Sequence, residues 1–252
     1  MRKGLCVIAY ALGVTAMACG GGEDPQGNSA NPAGDSAAGA ATASTPAASG
    51  DGPEFMGQTA DHWIQQLAEA SESDAKVQAV SALTSIGPDV AGVTDALIGA
   101  LDDEADLVRV GASRTLGRFS ADIIPDLVGT LNDHPDAGLR AGVAPVLGNQ
   151  SADPAANVAL QKALLGDADP AVRTAAARGL SVGGEASLPA VSALMMALAE
   201  DESADVRQWS AIALGRIGSD ASEAIPVLEA AQEDADRNVV SAAGAALRQI
   251  RR

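Results

Sequence analysis

A ten-residue pattern returns along this chain at nearly constant spacing. Val108-Arg109-Val110-Gly111-Ala112-Ser113-Arg114-Thr115-Leu116-Gly117 comes back as Val172-Arg173 with Leu180, and as Val206-Arg207 with Leu214-Gly215. Leu139-Arg140 with Leu147-Gly148 is a variant. Ala75-Lys76 with Leu83 and Val239-Val240 with Leu247 are weaker copies. The anchors at 76, 109, 140, 173, 207 and 240 lie 33, 31, 33, 34 and 33 residues apart. A period in that range implies stacked supersecondary units, each burying its apolar face on its neighbours.

Each unit reads as two helices. In the second unit, Pro88 is expected to open a first helix through Leu97, Ile98 and Leu101, and the acidic turn Asp102-Asp103-Glu104 follows. The second helix then runs from about Ala105 to Arg118. Its Val108, Ala112, Thr115, Leu116 and Phe119 share one face at the helical period. Gly117 falls near its end, where Gly suits a C-terminal cap. Asp153-Pro154 and Asp169-Pro170 place an acidic cap before a first-turn proline. Acidic pairs (Asp102/Asp103, Asn132/Asp133 in amide form, Glu200/Asp201, Glu233/Asp234) precede second helices, where the helix dipole favours negative charge. Pro145 lies inside a second helix and is expected to kink it. The prediction is an all-α fold: an α-α superhelix of about six helix pairs over residues 59–252, with no strand longer than a bridge. Only 2% of the residues are aromatic, which suits thin interfaces filled by Ala, Leu, Val and Ile.

The N-terminus reads as an export signal over residues 1–18. Arg2 and Lys3 are basic, and Gly4 to Ala18 is an apolar stretch too short to span a bilayer. Ala16-Met17-Ala18-Cys19 followed by Gly20-Gly21-Gly22 resembles a bacterial lipoprotein signal, in which the Cys becomes the acylated first residue. Ala16 and Met17 depart from the commonest residues at their positions, and Ala16-Met17-Ala18 also fits ordinary signal cleavage. The resemblance implies lipidation at Cys19 and a location at the bacterial cell envelope, with a soluble secreted or periplasmic chain as the alternative. Residues 19–58 are rich in Gly, Ala, Ser, Pro and Thr and read as a disordered tether. As a flexible coil it spans about 35 Å on average.

With the Asp turn, the Val-Arg pair and the Ala-rich run to Leu-Gly in view, residues 59–252 resemble the HEAT-repeat family, in particular its short bacterial, PBS-lyase-like form. That resemblance implies a ladder in which a basic residue of each second helix bonds to turn aspartates. The matching positions are Lys76, Arg109, Arg140, Arg173 and Arg207, and Val240 ends the series. It also brings in the bilin lyases, whose subunits use the same short units, although that work is done inside the cell.

The formal charge is −17. That sign argues against nucleic acid as a partner and leaves the lipid anchor as the only expected contact with membrane. Histidines are confined to His62 and His134, far apart in the chain, and no His-Glu pair occurs. The acidic run Asp102-Asp103-Glu104-Ala105-Asp106 lacks the Gly and terminal Glu of a calcium loop. No phosphate-binding glycine loop or nucleophile motif appears. The sequence therefore predicts no catalytic residues, no metal and no cofactor.

What remains is positional. If Val108, Ala112 and Leu116 face inward, then Val110 and Arg114 face outward, with Arg118 one turn on. Equivalent positions hold Arg178, Ile212 and Arg216, with Trp209 nearby. One reading is a groove formed by Arg114, Arg118, Arg178, Trp209, Ile212 and Arg216. Such a groove suits a protein or peptide partner of acidic character, since Arg and aromatic groups commonly anchor interfaces. The other reading is a solvated face whose arginines offset neighbouring acids. The expected function is an envelope-anchored, non-catalytic scaffold. The alternatives are a lyase-like enzyme or accessory subunit, and a structural spacer without a dedicated ligand.

Overall fold

The computed structural model describes residues 53–119 and 121–252. The signal segment, Cys19 and residues 19–52 of the expected tether lie outside the described residues. Six pairs of helices follow one another. The first helices are α1 (Ala60–Glu69), α3 (Val93–Gly99), α5 (Ile124–Asp133), α7 (Pro154–Gly166), α9 (Val191–Glu200) and α11 (Ile225–Ala230). The second helices are α2 (Ser73–Ile86), α4 (Asp106–Leu116), α6 (Ala137–Gly148), α8 (Pro170–Gly183), α10 (Ala204–Ile217) and α12 (Arg237–Ile250). Second helices pack on second helices through the array, and one continuous apolar core runs between the two layers. The six leucines of the repeat (Leu83, Leu116, Leu147, Leu180, Leu214 and Leu247) are all buried, which fixes the register of every second helix.

Several local expectations are met and others are not. Asp153 accepts hydrogen bonds from the amides of Ala155 and Ala156, and Asp169 from that of Ala171, so both aspartates cap helices that begin with proline. Pro88 does not open a helix. The chain turns through Gly87 and Gly92, both at positive φ, and α3 starts only at Val93. The reason is conformational: glycine at φ +82 reverses the chain directly before Val93 and sets the helix start there. Pro145 sits inside α6, which continues past it to Gly148.

The Leu-Gly glycines serve mainly in close packing rather than capping. A Cβ on Gly148 would lie 2.4 Å from the Gly179 carbonyl oxygen, and one on Gly215 would lie 2.8 Å from Cα of Ala246. Helices α6 and α8, and likewise α10 and α12, approach one another through these hydrogens. Gly117 is different. Its φ is −66°, and an added Cβ would meet its nearest neighbour at 3.3 Å.

A short hairpin precedes the array, contrary to the expectation of no strand beyond a bridge. Glu54–Phe55 (β1) pairs antiparallel with Gln58–Thr59 (β2) through a turn at Met56 and Gly57, both at positive φ. Tertiary contact overrides local composition here. Trp63 of α1 is buried, packs edge-on against the Phe55 ring at 6.2 Å, and donates from its indole nitrogen to the Phe55 carbonyl at 3.2 Å. The hairpin thus covers the open end of the first unit.

Candidate binding groove

The ladder comes first, because it decides which arginines are occupied. In a regular rung, one guanidinium ties two turns together. Nη1 of Arg140 donates to the carbonyls of His134 and Pro135 in its own turn, while Nε and Nη2 both donate at 2.9 Å to Asp167 in the next. Arg173 grips Asp201 at 2.7 and 3.0 Å, and Arg207 grips Asp234 at 2.8 and 2.9 Å, in the same two-pronged way. Lys76 reaches Asp103 with its single ammonium at 2.5 Å. Each of these aspartates also accepts the amide two residues on: Ala105, Asp169, Ser203 and Asp236.

The rungs are shielded, with the carboxylates 8–13% exposed, and this sets their electrostatics. At Asp103 and Asp167, burial is the largest single influence and works against ionisation. The Lys76 or Arg140 hydrogen bond, the backbone amide and nearby cations together outweigh it, so both carboxyls fall below the ordinary 3.8. At Asp234 the Arg207 hydrogen bond dominates and gives the same direction. The hydrogen bonds to their aspartates raise Arg140, Arg173 and Arg207.

Arg109 departs from the pattern. Its Nη1 still holds its own turn, donating to the carbonyls of Asp103 and Glu104 at 2.6 and 2.9 Å. It makes no rung. The acid of every other rung stands six residues before the next anchor, and in the third unit that place belongs to His134. His134 Nδ1 accepts the Asp136 amide at 3.1 Å, as the aspartates accept theirs, but an imidazole offers no carboxylate fork. Among the described residues, the remaining edge of Arg109 contacts Asp106, one turn earlier on α4. Its side chain is 39% exposed, against 15–17% for Arg140, Arg173 and Arg207. Arg109 as a ladder member is therefore corrected to a half-rung.

An open groove of about 680 Å³ lies at this break, between α4, α6 and Arg178 of α8. Arg109, Arg114, Arg118 and Arg178 line it together with Val110 and Pro145, and among the described residues no acidic side chain is in its walls. Arg114, Arg118 and Arg178 are exposed, and among the described residues none of them makes an ion pair. The other expected groove residues divide. Arg178 lies over the indole of Trp209, 5.1 Å from the ring centroid, which links Trp209 to the groove's edge. Trp209 and Ile212 are half-buried against the core. Arg216 is exposed but donates to the Ser181 carbonyl at 3.2 Å, in the last turn of α8, where a cation suits the helix dipole. Three of the six residues thus share one concavity, Trp209 adjoins it, and Ile212 and Arg216 serve mainly in packing and capping.

The acidic run at 102–106 is occupied in the turn itself. Asp103 takes Lys76 and the Ala105 amide, and Asp106 takes Arg109. Among the described residues no group of three or more His, Cys, Asp or Glu is placed to hold a metal ion.

Solved structures confirm the architecture. A chain of the CpcE–CpcF complex of phycocyanin lyase from Nostoc sp. PCC7120 superposes with a TM-score of 0.53 at 22% identity, over 63% of this chain and 99% of that one. The E. coli protein YIBA superposes with a TM-score of 0.53 at 21% identity, over 71% of this chain and 64% of that one. At these identities the likeness speaks for the fold alone. No curated protein matches the sequence. The family model for HEAT repeats matches residues 60–148 and 159–248, well over half of the sequence. Together with the paired helices and the Arg–Asp rungs, this match shows that the chain belongs to the HEAT-repeat family.

Proposed function

We propose that this HEAT-repeat array is a non-catalytic scaffold that holds a protein or peptide partner against its second helices, and that acylated Cys19 tethers it to the bacterial cell envelope. The observation that carries the binding role is the groove of unpaired arginines, Arg114, Arg118 and Arg178, in a chain of net charge −17. Like charges clustered without counter-charges cost stability in the free protein, and an acidic partner relieves that cost. Arg178 over Trp209 adds a flat, partly apolar shelf beside the charge, the residue combination that commonly anchors interfaces. The fold neighbour from the CpcE–CpcF complex is one half of a two-chain assembly, which accords with a binding role.

Co-purification from envelope extract tests the groove. The full-length chain should retain a partner that Arg114→Ala/Arg178→Ala releases, and that release should be mimicked by added salt, because exposed charges are screened beyond about 8 Å at physiological ionic strength. A partner held equally by the double variant would sink the groove reading, and no partner retained by the wild-type chain would leave the spacer alternative. Intact-mass measurement of the chain recovered from membranes tests the anchor. A chain starting at Cys19 without added lipid mass would favour the secreted form.

A further inference from the structure

We infer that Arg109 is a ligand-binding residue: the missing rung between the second and third units is completed by a carboxylate of an acidic partner segment. This inference deepens the proposed groove and rests on it. Three observations converge. The Nε/Nη2 edge of Arg140, Arg173 and Arg207 is filled by a turn aspartate, whereas Nη2 of Arg109 goes to Asp106 of its own helix and the turn position that matches those aspartates holds His134. The one acid that Arg109 does contact, Asp106, is 85% exposed and held across a single helical turn, a pairing of the weak, solvent-screened kind. Arg109 is also in the wall of the groove, beside Arg114, Arg118 and Arg178, so a carboxylate reaching Arg109 enters a cluster of four guanidinium groups.

The occupant is therefore an extended segment rich in Asp or Glu. A carboxylate matches the planar fork of a guanidinium in the two-pronged geometry that the intact rungs display. Successive carboxylates along an extended segment can engage Arg109, Arg114, Arg118 and Arg178 in turn. The opposite charge of segment and groove speeds encounter and sets register.

His134→Asp isolates the idea, because it restores the missing acid in the Asp-x-Asp sequence already used at Asp167-Asp169 and Asp234-Asp236. In the full-length chain this variant should raise Tm by about 2–4 °C. It should also weaken a short fluorescein-labelled Glu-Ser repeat peptide by about tenfold or more, measured by anisotropy against a Gln-Ser control. Arg109→Met should weaken the same peptide comparably while lowering Tm far less than Arg173→Met. His134→Asp added to Arg109→Met should cost little more binding, which separates loss of the Arg109 edge from mere repulsion by a new charge. Three results would overturn the inference: peptide binding unchanged by His134→Asp, Arg109→Met as destabilising as Arg173→Met, or no preference of the wild-type chain for Glu-Ser over Gln-Ser. If an envelope partner still depends on Arg114 and Arg178 in those cases, the groove stands and only its carboxylate specificity falls.

Discussion

The junction between the second and third units and the junction between the third and fourth are built from the same repeat and hold together differently. At the latter, α6 meets α8 glycine to glycine, with Gly148 against the backbone of Gly179, and Arg140 forks onto Asp167 across the turns. At the former, α6 leans on the 3-10 segment Ala100–Asp102 as well as on α4. There Gly142 presses on Leu101, a Cβ on Gly117 would meet nothing nearer than 3.3 Å, and His134 stands at the turn position that holds an aspartate in the other rungs. The groove opens at the loose junction. A repeat protein can thus place a binding site by leaving out one rung, without any dedicated loop.

That contrast can be broken in several ways. The largest effect should come from the shared core. Leu180→Ala, at a fully buried position, should cost about 2–5 kcal/mol in a denaturant titration, and Leu116→Ala should fall in the same range. Near-zero loss at either site would show that the register is wrong. Next comes the intact rung. Asp201→Ala removes both prongs of Arg173 and the acceptor for the Ser203 amide, and should cost about 2–4 kcal/mol.

The glycines sharpen the comparison directly. Gly148→Ala drives a methyl into the Gly179 backbone and should cost about 1–3 kcal/mol by forced separation of the helices. Gly117→Ala should change stability by less than about 1 kcal/mol in either direction, since an added Cβ would meet nothing nearer than the Ser113 carbonyl at 3.3 Å. Equal losses at the two glycines would erase the distinction between the junctions. The smallest effect concerns acid. Asp103, Asp167 and Asp234 all have lowered pKa values in the folded chain. Their contribution is complete above the ordinary 3.8 and is lost as pH falls through the lower folded values. Thermal melts should therefore be level on this account above that point and decline below it. Asp167→Asn should flatten the decline.

Much of this architecture was legible in the residues because period and burial are coupled. A Leu seven residues after each anchor has to face inward, and all six do. The rungs at Arg140, Arg173 and Arg207 could be placed for the same reason. The hairpin was not legible: Glu54-Phe55-Met56-Gly57 carries little strand signal of its own, and its order comes from Phe55 and Trp63 meeting in space. The missing rung does carry a mark in the sequence. Anchors 109 and 140 are 31 residues apart, the shortest interval in the array. Counting six residues back from the anchors at 109, 140, 173, 207 and 240 returns Asp103, His134, Asp167, Asp201 and Asp234. Asn132 and Asp133 looked like the usual acidic pair, but they end one residue early.

The hairpin and the rungs also bear on cooperativity. In a linear array each unit is stabilised by its own packing and by its two neighbours, so folding propagates only as well as the weakest coupling allows. Between the second and third units that coupling lacks an Arg–Asp rung, and α6 packs less on α4 than on α8. Along that single continuous core, opening is therefore expected to start at this coupling, with two units on one side, closed by the Phe55–Trp63 contact, and four on the other. Amide exchange should report them as separate opening events, with α1 to α4 exchanging as one set and α6 to α10 as a slower one. A ligand seated across the break would fuse the two into a single unfolding transition.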